Sequence, residues 1–191
     1  MKLIDNNLKS FQVKGRLPQW EYWLIGVIVF AGGWYGVGRW ARWVALSDLA
    51  GNQDHWSADG VLEQDTDYTC VPASIVMLLK DKGIDTTTYD VAVVAGTDIF
   101  GTDGSGIIEA ARHFGLHARR EMMTFDDFMS AGLPGILEFR YKGIKHAAYI
   151  LPVPHLDMIQ VKDPVDGLLY FDKPTAAEHF GSDRWEVYLF E

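Results

Sequence analysis

Hydrophobic and polar positions change rhythm twice along this chain. From Trp20 to Gly38 the sequence WEYWLIGVIVFAGGWYGVG is uncharged after Glu21 and carries no polar stripe at helical spacing. Its run from Tyr22 to Gly38, about 17 residues, would span roughly 26 Å as a helix, just under the ~30 Å hydrocarbon core of a bilayer. Arg39 and Arg42 can snorkel, while Trp40, Trp43 and Leu46 extend the apolar character. Trp20, Tyr22 and Trp23 at one end, with Trp40 and Trp43 at the other, form paired aromatic belts. A transmembrane helix is therefore expected over 20–46, behind a polar tail at 1–19 in which Leu17-Pro18 breaks any earlier helix. A cleaved signal peptide fits poorly, because no small-residue cleavage site follows the run. A buried soluble helix would more often show a polar stripe, and an interfacial helix would need a charged face that Val27 to Val37 lacks. Gly32 and Gly36 offer a small-residue face to a membrane partner or a second copy.

The rhythm then breaks. Ser47 to Gly60 (SDLAGNQDHWSADG) is rich in Gly, Asn, Asp and Ser and reads as a linker, with His55 solvated in it. Beyond it, helical signals come first. Cys70 opens an apolar run through Leu79, with Pro72 in the first turn, a left-handed stop at Gly83, and Ile84 folding back. Thr87-Thr88-Tyr89-Asp90 caps a helix through Val94, and Thr124-Phe125-Asp126-Asp127 caps another that stops at Gly132 and Pro134. Ile107 to Phe114 is amphipathic and ends at Gly115. Between these helices lies the glycine-rich loop Gly96 to Gly106.

Strand patterning dominates afterwards, over Gly135–Arg140, His146–Val153, Met158–Lys162, Leu168–Phe171 and Trp185–Phe190. Lys142-Gly143, Pro154-His155 and Asp166-Gly167 mark the turns. Helices first and antiparallel strands afterwards predict an α+β domain over 61–191, with its site between the two lobes.

Charge sharpens this division. Residues 1–46 carry six basic side chains against two acidic ones, and residues 47–191 carry 11 against 24. An acidic globular part argues against nucleic acid as a partner. Four basic residues precede the apolar helix and two follow it closely, which favours the N-terminus inside and the large domain outside. A single cysteine excludes an internal disulfide.

That cysteine carries the candidate chemistry. At a helix N-terminus the aligned peptide dipoles favour an anion, so thiolate is expected to accumulate on Cys70. Thiol catalysis also needs a base, a group to orient it and donors for an oxyanion. His146 begins a strand, and Asp163 ends its neighbour in Asp163-Pro164-Val165-Asp166-Gly167. Adjacent antiparallel strands would bring the two side by side. Gln64, on the approach to the helix, can direct its amide N–H to the helix start. Each is commonplace alone: a lone cysteine is usually a small buried hydrophobe, and an Asp-Pro is usually just a turn. Their order and spacing together carry the signal. The glycines of Gly101-Thr102-Asp103-Gly104-Ser105-Gly106 read as a plain loop, since no lysine follows for a nucleotide. His113 and His117 lack further ligands nearby, and Asp65 and Asp67 read as solvated carboxylates. No metal or cofactor is expected.

The joint pattern resembles the bacteriocin-processing peptidases, papain-like cysteine peptidases that cut after double-glycine leaders. The resemblance covers roughly Val61 to Glu191 and includes Gly101-Thr102, Gly115-Leu116 and the closing Trp185 strand. It implies a papain-like fold with Cys70 as nucleophile, His146 as base, Asp163 as orienting acid and Gln64 as oxyanion donor. Two features depart from the family's exporters: Val71 replaces the usual glycine after the nucleophile, and no transporter core or ATPase module follows. The expectation is a stand-alone, membrane-anchored thiol peptidase acting on a peptide or protein. An acyltransferase or amidase would use the same residues, and a non-catalytic subunit of a membrane complex would use the fold for docking alone.

Overall fold

The computed structural model describes the backbone of residues 19–141 and 143–191, and it describes side chains except at 19–22 and 25. The expected tail through residue 18, the side chains of Trp20 and Tyr22 in the expected belt, and Lys142 of the Lys142-Gly143 turn lie outside what is described. The first element, α1 (Gln19–Leu49), is a 31-residue helix. By internal contacts the chain divides between Val37 and Gly38. In the first unit, the described side chains from Trp23 to Val37 are all exposed, including Trp23, Val27, Phe30 and Trp34. Among the described residues no helix is long and apolar enough to cross a membrane.

That departs from the span expected over 20–46, and the second unit supplies a physical reason for part of the difference. The helix continues to Leu49, and Ala41, Ala45 and Leu49, one turn apart, are buried. This one-sided stripe is the packing face of the helix's last turns. Arg42, expected to snorkel, instead donates from Nη2 to the Val93 carbonyl at 2.6 Å.

The linker expected over 47–60 is likewise not free. Trp56 bridges to Leu62 and packs on the core, and the Lys80 ammonium sits 3.5 Å above its ring. The Asp54 carboxylate accepts from the Thr88 N–H at 3.2 Å. An indole that finds a cation and an apolar wall stays in place, whatever the polarity of its neighbours.

The remaining helices follow their caps closely. Cys70–Asp81 forms α2, closed by Gly83 at φ +77 with the Ile84 N–H on the Leu79 carbonyl at 2.9 Å. Thr87 caps α3 (Thr88–Ala95), Asp103 caps α4 (Gly104–His113), and Thr124 and Asp127 form a reciprocal capping box on α5 (Phe125–Ala131). The strands are β1 (Ala118–Met123), β2 (Gly135–Tyr141), β3 (Ile144–Val153), β4 (Met158–Asp163), β5 (Gly167–Phe171) and β6 (Trp185–Phe190). They pair antiparallel in the order β1-β6-β2-β3-β4-β5.

Two elements were not expected. Strand β1 lies among the helices in sequence but pairs with β6 at the sheet edge, and α6 (Lys173–Phe180) interrupts the strands. The helix was legible in principle, since Asp172, Pro174 and Gly181 are its cap, first-turn proline and left-handed stop; β1 was not, because Ala118–Met123 buries only its two ends while its four middle residues are half-buried or exposed.

Alternation along the strands builds two apolar layers. Ile136, Ala147, Tyr149 and Tyr188 face a core shared with α2, α3 and α4. Leu137, Phe139, Ala148, Ile150 and Val187 face a second core containing Phe128 of α5 and Ala176 and Phe180 of α6. The sheet is thus covered on both faces, and the α+β expectation holds, with the helical layer packed on the sheet instead of standing apart as a lobe.

Candidate active site

The start of α2 is fixed by the loop before it. Thr69, fully buried, donates from Oγ1 to the Thr66 carbonyl at 2.9 Å and accepts the Thr66 N–H at 3.2 Å. Its own carbonyl accepts the Ala73 N–H at 3.0 Å, the first helical bond past Pro72, which has no N–H to spend. Every residue from Cys70 to Leu79 is buried, and Ser74 Oγ donates to the Ala147 carbonyl of β3 at 3.3 Å. Cys70 is therefore held at the tip of a helix clamped to the strand that carries His146.

His146 is the third residue of β3, two places inside the strand, and stands opposite Phe139 of β2. The Phe139 ring meets it edge-on, with centroids 5.3 Å apart. His146 Nε2 and Asp163 Oδ1 are 2.9 Å apart, with both side chains buried. The Cys70 side chain also acts on the ring. Burial pulls the imidazole's pKa down, but the hydrogen bonds and charges of Asp163 and Cys70 outweigh it and raise the value to about 9. The ring is consequently cationic at neutral pH.

Asp163 closes β4, and its Oδ1 also accepts the backbone N–H groups of Val165 (2.8 Å) and Asp166 (3.2 Å). Burial pushes this carboxyl up, yet the His146 bond and those two N–H groups together hold it below the usual carboxylate range. The turn expected at Asp163-Pro164-Val165-Asp166-Gly167 thus has a second role as an anion cradle. Oδ2 is buried without a partner. Gln64 is tied to the same turn, its N–H donating to the Pro164 carbonyl at 3.1 Å. Its side-chain Oε1 is buried and unpartnered, and Gln64 is not among the residues lining the cleft beside Cys70.

That cleft has a volume of about 300 Å³. Asp67 and Tyr68 form one wall, Phe100 and Thr102 of the glycine-rich loop another, and Glu138 and Lys145 of the sheet line it beside His146. The loop is shaped by packing. A Cβ at Gly106 would lie 2.1 Å from the Ala95 carbonyl oxygen, and one at Gly104 would lie 2.0 Å from Tyr188 Oη. Thr97 and Thr102 hydroxyls, 2.7 Å apart, pin its base.

Sequence reasoning missed several of these residues. Tyr68 lines the cleft and donates to Asp48 Oδ2 at 3.0 Å, binding the wall to the last turns of α1. Glu138 had one signal: it is a carboxylate inside the apolar strand run Gly-Ile-Leu-Glu-Phe. Asp67, read as a solvated carboxylate, is indeed exposed and also lines the cleft.

Residues 59–180 match the peptidase C39 family. An uncharacterized protein of Methanothermobacter thermautotrophicus is 37% identical over 67 residues, 35% of this chain and 47% of that protein. One from Methanothermobacter marburgensis is 30% identical over 107 residues, 56% of this chain and 72% of the relative. The chain therefore spans about half the length of the first relative and most of the second. Among solved structures, the peptidase domain of Streptococcus ComA, a bifunctional ABC transporter involved in a quorum-sensing pathway, superposes with a TM-score of 0.58 at 18% identity, over 68% of this chain and 96% of that one. A double-glycine-motif protease from an AMS/PCAT transporter, solved with its leader peptide, gives 0.57 at 17% identity, over 72% and 99%. At such identities the likeness establishes a common fold.

Proposed function

Because the chain belongs to the peptidase C39 family of cysteine peptidases, we propose that it hydrolyses peptide bonds through Cys70, His146 and Asp163 while tethered to a membrane by α1. The observation that carries the catalytic reading is the buried 2.9 Å contact between His146 Nε2 and Asp163 Oδ1, which leaves the opposite ring nitrogen for the thiol. With His146 protonated, the form of the site that reacts is a thiolate beside an imidazolium. Cys70 Sγ attacks the scissile carbonyl carbon, and the carbonyl π electrons pass to oxygen. The Cys70 N–H stabilises that oxyanion, and the Gln64 amide joins it once its side chain, which does not line the cleft in this structure, turns inward.

As the oxyanion collapses, the C–N bond breaks and the leaving amine takes the proton from His146. Neutral His146 then deprotonates a water that attacks the thioester. Release of the acid restores the thiolate and the imidazolium. Asp163 keeps its charge throughout, orienting the ring and offsetting the imidazolium. The substrate is a peptide of the leader kind, as in the double-glycine-motif protease. Val71, in the cleft lining, narrows the approach to the sulfur.

The tether rests on Trp23 to Val37, whose described apolar side chains are exposed on every side of the helix. Water is a poor solvent for such a surface. Gly32 and Gly36 give it a face for a partner helix, and the large domain is assigned to the outer side. A peptide-based thiol-reactive probe applied to native membranes tests both parts. Cys70 becomes labelled in a carbonate-resistant, detergent-soluble fraction, and Cys70→Ala abolishes labelling. Recovery in the carbonate wash would remove the tether. A folded protein whose reduced Cys70 stays unlabelled would leave a docking module without catalysis. Acyl transfer to added amines in preference to water would make it a transferase.

A further inference from the structure

One buried carboxylate in the cleft is not used by the proposed mechanism. Glu138 lies on β2 opposite Ala147 of β3 and Glu186 of β6, with its side chain 4% exposed. It points to the cleft that holds Cys70 and His146. Its neighbours form a closed polar set: Tyr188 Oη donates to Glu186 Oε1 at 2.9 Å and lies 3.3 Å from Glu138 Oε2, while Arg120 Nε pairs with Glu186 at 2.8 Å. The remaining oxygen, Oε1, holds the Lys145 ammonium at 2.7 Å. That lysine is 59% exposed, diagonal to Glu138 on the same face of the β2–β3 pair.

We propose that Glu138 is a specificity-determining residue that selects peptides with a basic side chain close to the scissile bond, and that Lys145 occupies its place in the free enzyme. The proposal rests on the peptidase reading given above. A primary ammonium already sits on this carboxylate at ion-pair distance, so the pocket's fit for a cation is on display. The occupant is also displaceable. Lys145 lines a second recess with Asp98 and Asp103, where its flexible stem can carry the charge when a substrate cation enters.

The opposite selectivity, an acidic side chain read by Lys145, is disfavoured by the surroundings. An incoming carboxylate would meet Glu138 and Asp67 in the cleft, and Asp98 and Asp103 in the recess, against one lysine already engaged. A cation exchanges one partner of a buried carboxylate for another and leaves no charge unpaired.

The test is a set of peptides differing only by Lys, Gln or Glu at each position flanking the cleavage point, assayed with the full-length protein in detergent. The wild type cleaves the Lys peptide with kcat/KM about tenfold or more above the Gln peptide at one position. Glu138→Gln brings that ratio close to 1. Lys145→Ala, at an exposed position, raises it further by emptying the carboxylate. An unchanged ratio in Glu138→Gln overturns the proposal. So does a preference for Glu that disappears in Lys145→Ala, which would make Lys145 the reader. Labelling of Cys70 by an uncharged peptide probe, measured in the same variants, reports the peptidase reading separately from the preference.

Discussion

Replacing Asp163 by Asn tests the electrostatic core of the mechanism, because it keeps shape and removes charge. In the native protein His146 has its pKa raised to about 9, with the Asp163 hydrogen bond the largest of the raising causes. An opposite charge in direct contact moves a pKa by about 1–3 pH units, so the loss of a typical two lowers the ring to about 7. At pH 8 the charged fraction of His146 then falls from about nine-tenths to about one-tenth, and kcat/KM at that pH falls about tenfold on this account alone. The alkaline limb of the pH–rate profile shifts from about 9 to about 7, and the imidazole NMR titration shifts with it. Stability follows the same sign. Since the folded value lies above the unfolded value of about 6.5, the pair's contribution is complete below that pH and disappears as pH rises through about 9. The variant, with its ring at about 7, keeps only a small part of this loss, complete by about pH 7. It also buries an amide N–H2 where Oδ2 has no partner, a cost of about 1–3 kcal/mol. Superimposable alkaline limbs in the two proteins would refute the assignment of the imidazolium to this carboxylate.

Two further outcomes follow from the walls of the cleft. Gly106→Ala sets a methyl 2.1 Å from a backbone oxygen and 2.8 Å from Thr102 Cγ2, so the start of α4 must shift; a loss of about 1–3 kcal/mol and several degrees in Tm is expected by thermal denaturation. An unchanged Tm would mean the loop is not packed as described. Tyr68→Phe frees the cleft wall from Asp48 and is expected to raise KM for peptides with little change in kcat or in overall stability, because the bond it removes is exposed. A fall in kcat at constant KM would instead give the hydroxyl a part in the chemistry.

The course of the chain was most legible where local chemistry decides it. Cys70–Asp81 carried its own start, first-turn proline and left-handed stop, and the helix ran as those signals prescribe. The strands from Gly135 onward showed their alternation because both faces of the sheet are covered by apolar layers, and Trp185–Phe190 matched to the residue. The neighbourhood of His146 and Asp163 was inferred from strand adjacency, and β3 and β4 do pair. Register could not be inferred. His146 lies two residues deeper in its strand than the turn signal implied, because β2 and β3 continue pairing as far as Tyr141 and Ile144.

What stayed illegible belongs to contacts made across long separations. Strand β1 owes its existence to β6, nearly seventy residues away, and its sequence Ala-Arg-Arg-Glu-Met-Met suggests little when read alone. The charges that obscure it are the ones that stabilise it: Arg120 pairs with Glu186 across the strands, and Glu186 then stands opposite Glu138. The same network explains a tolerated carboxylate in an otherwise apolar strand. The end of α1 follows the same logic. Ala41, Ala45 and Leu49 look like the tail of an apolar run until α3 offers Arg42 a carbonyl and the stripe finds a core. Local signals therefore locate the helix that carries Cys70, while distant pairs set the walls of the cleft around it. The proposed selectivity consequently depends on Glu138, whose neighbours Glu186 and Tyr188 are remote in sequence, in a cleft whose wall at Tyr68 is held by Asp48.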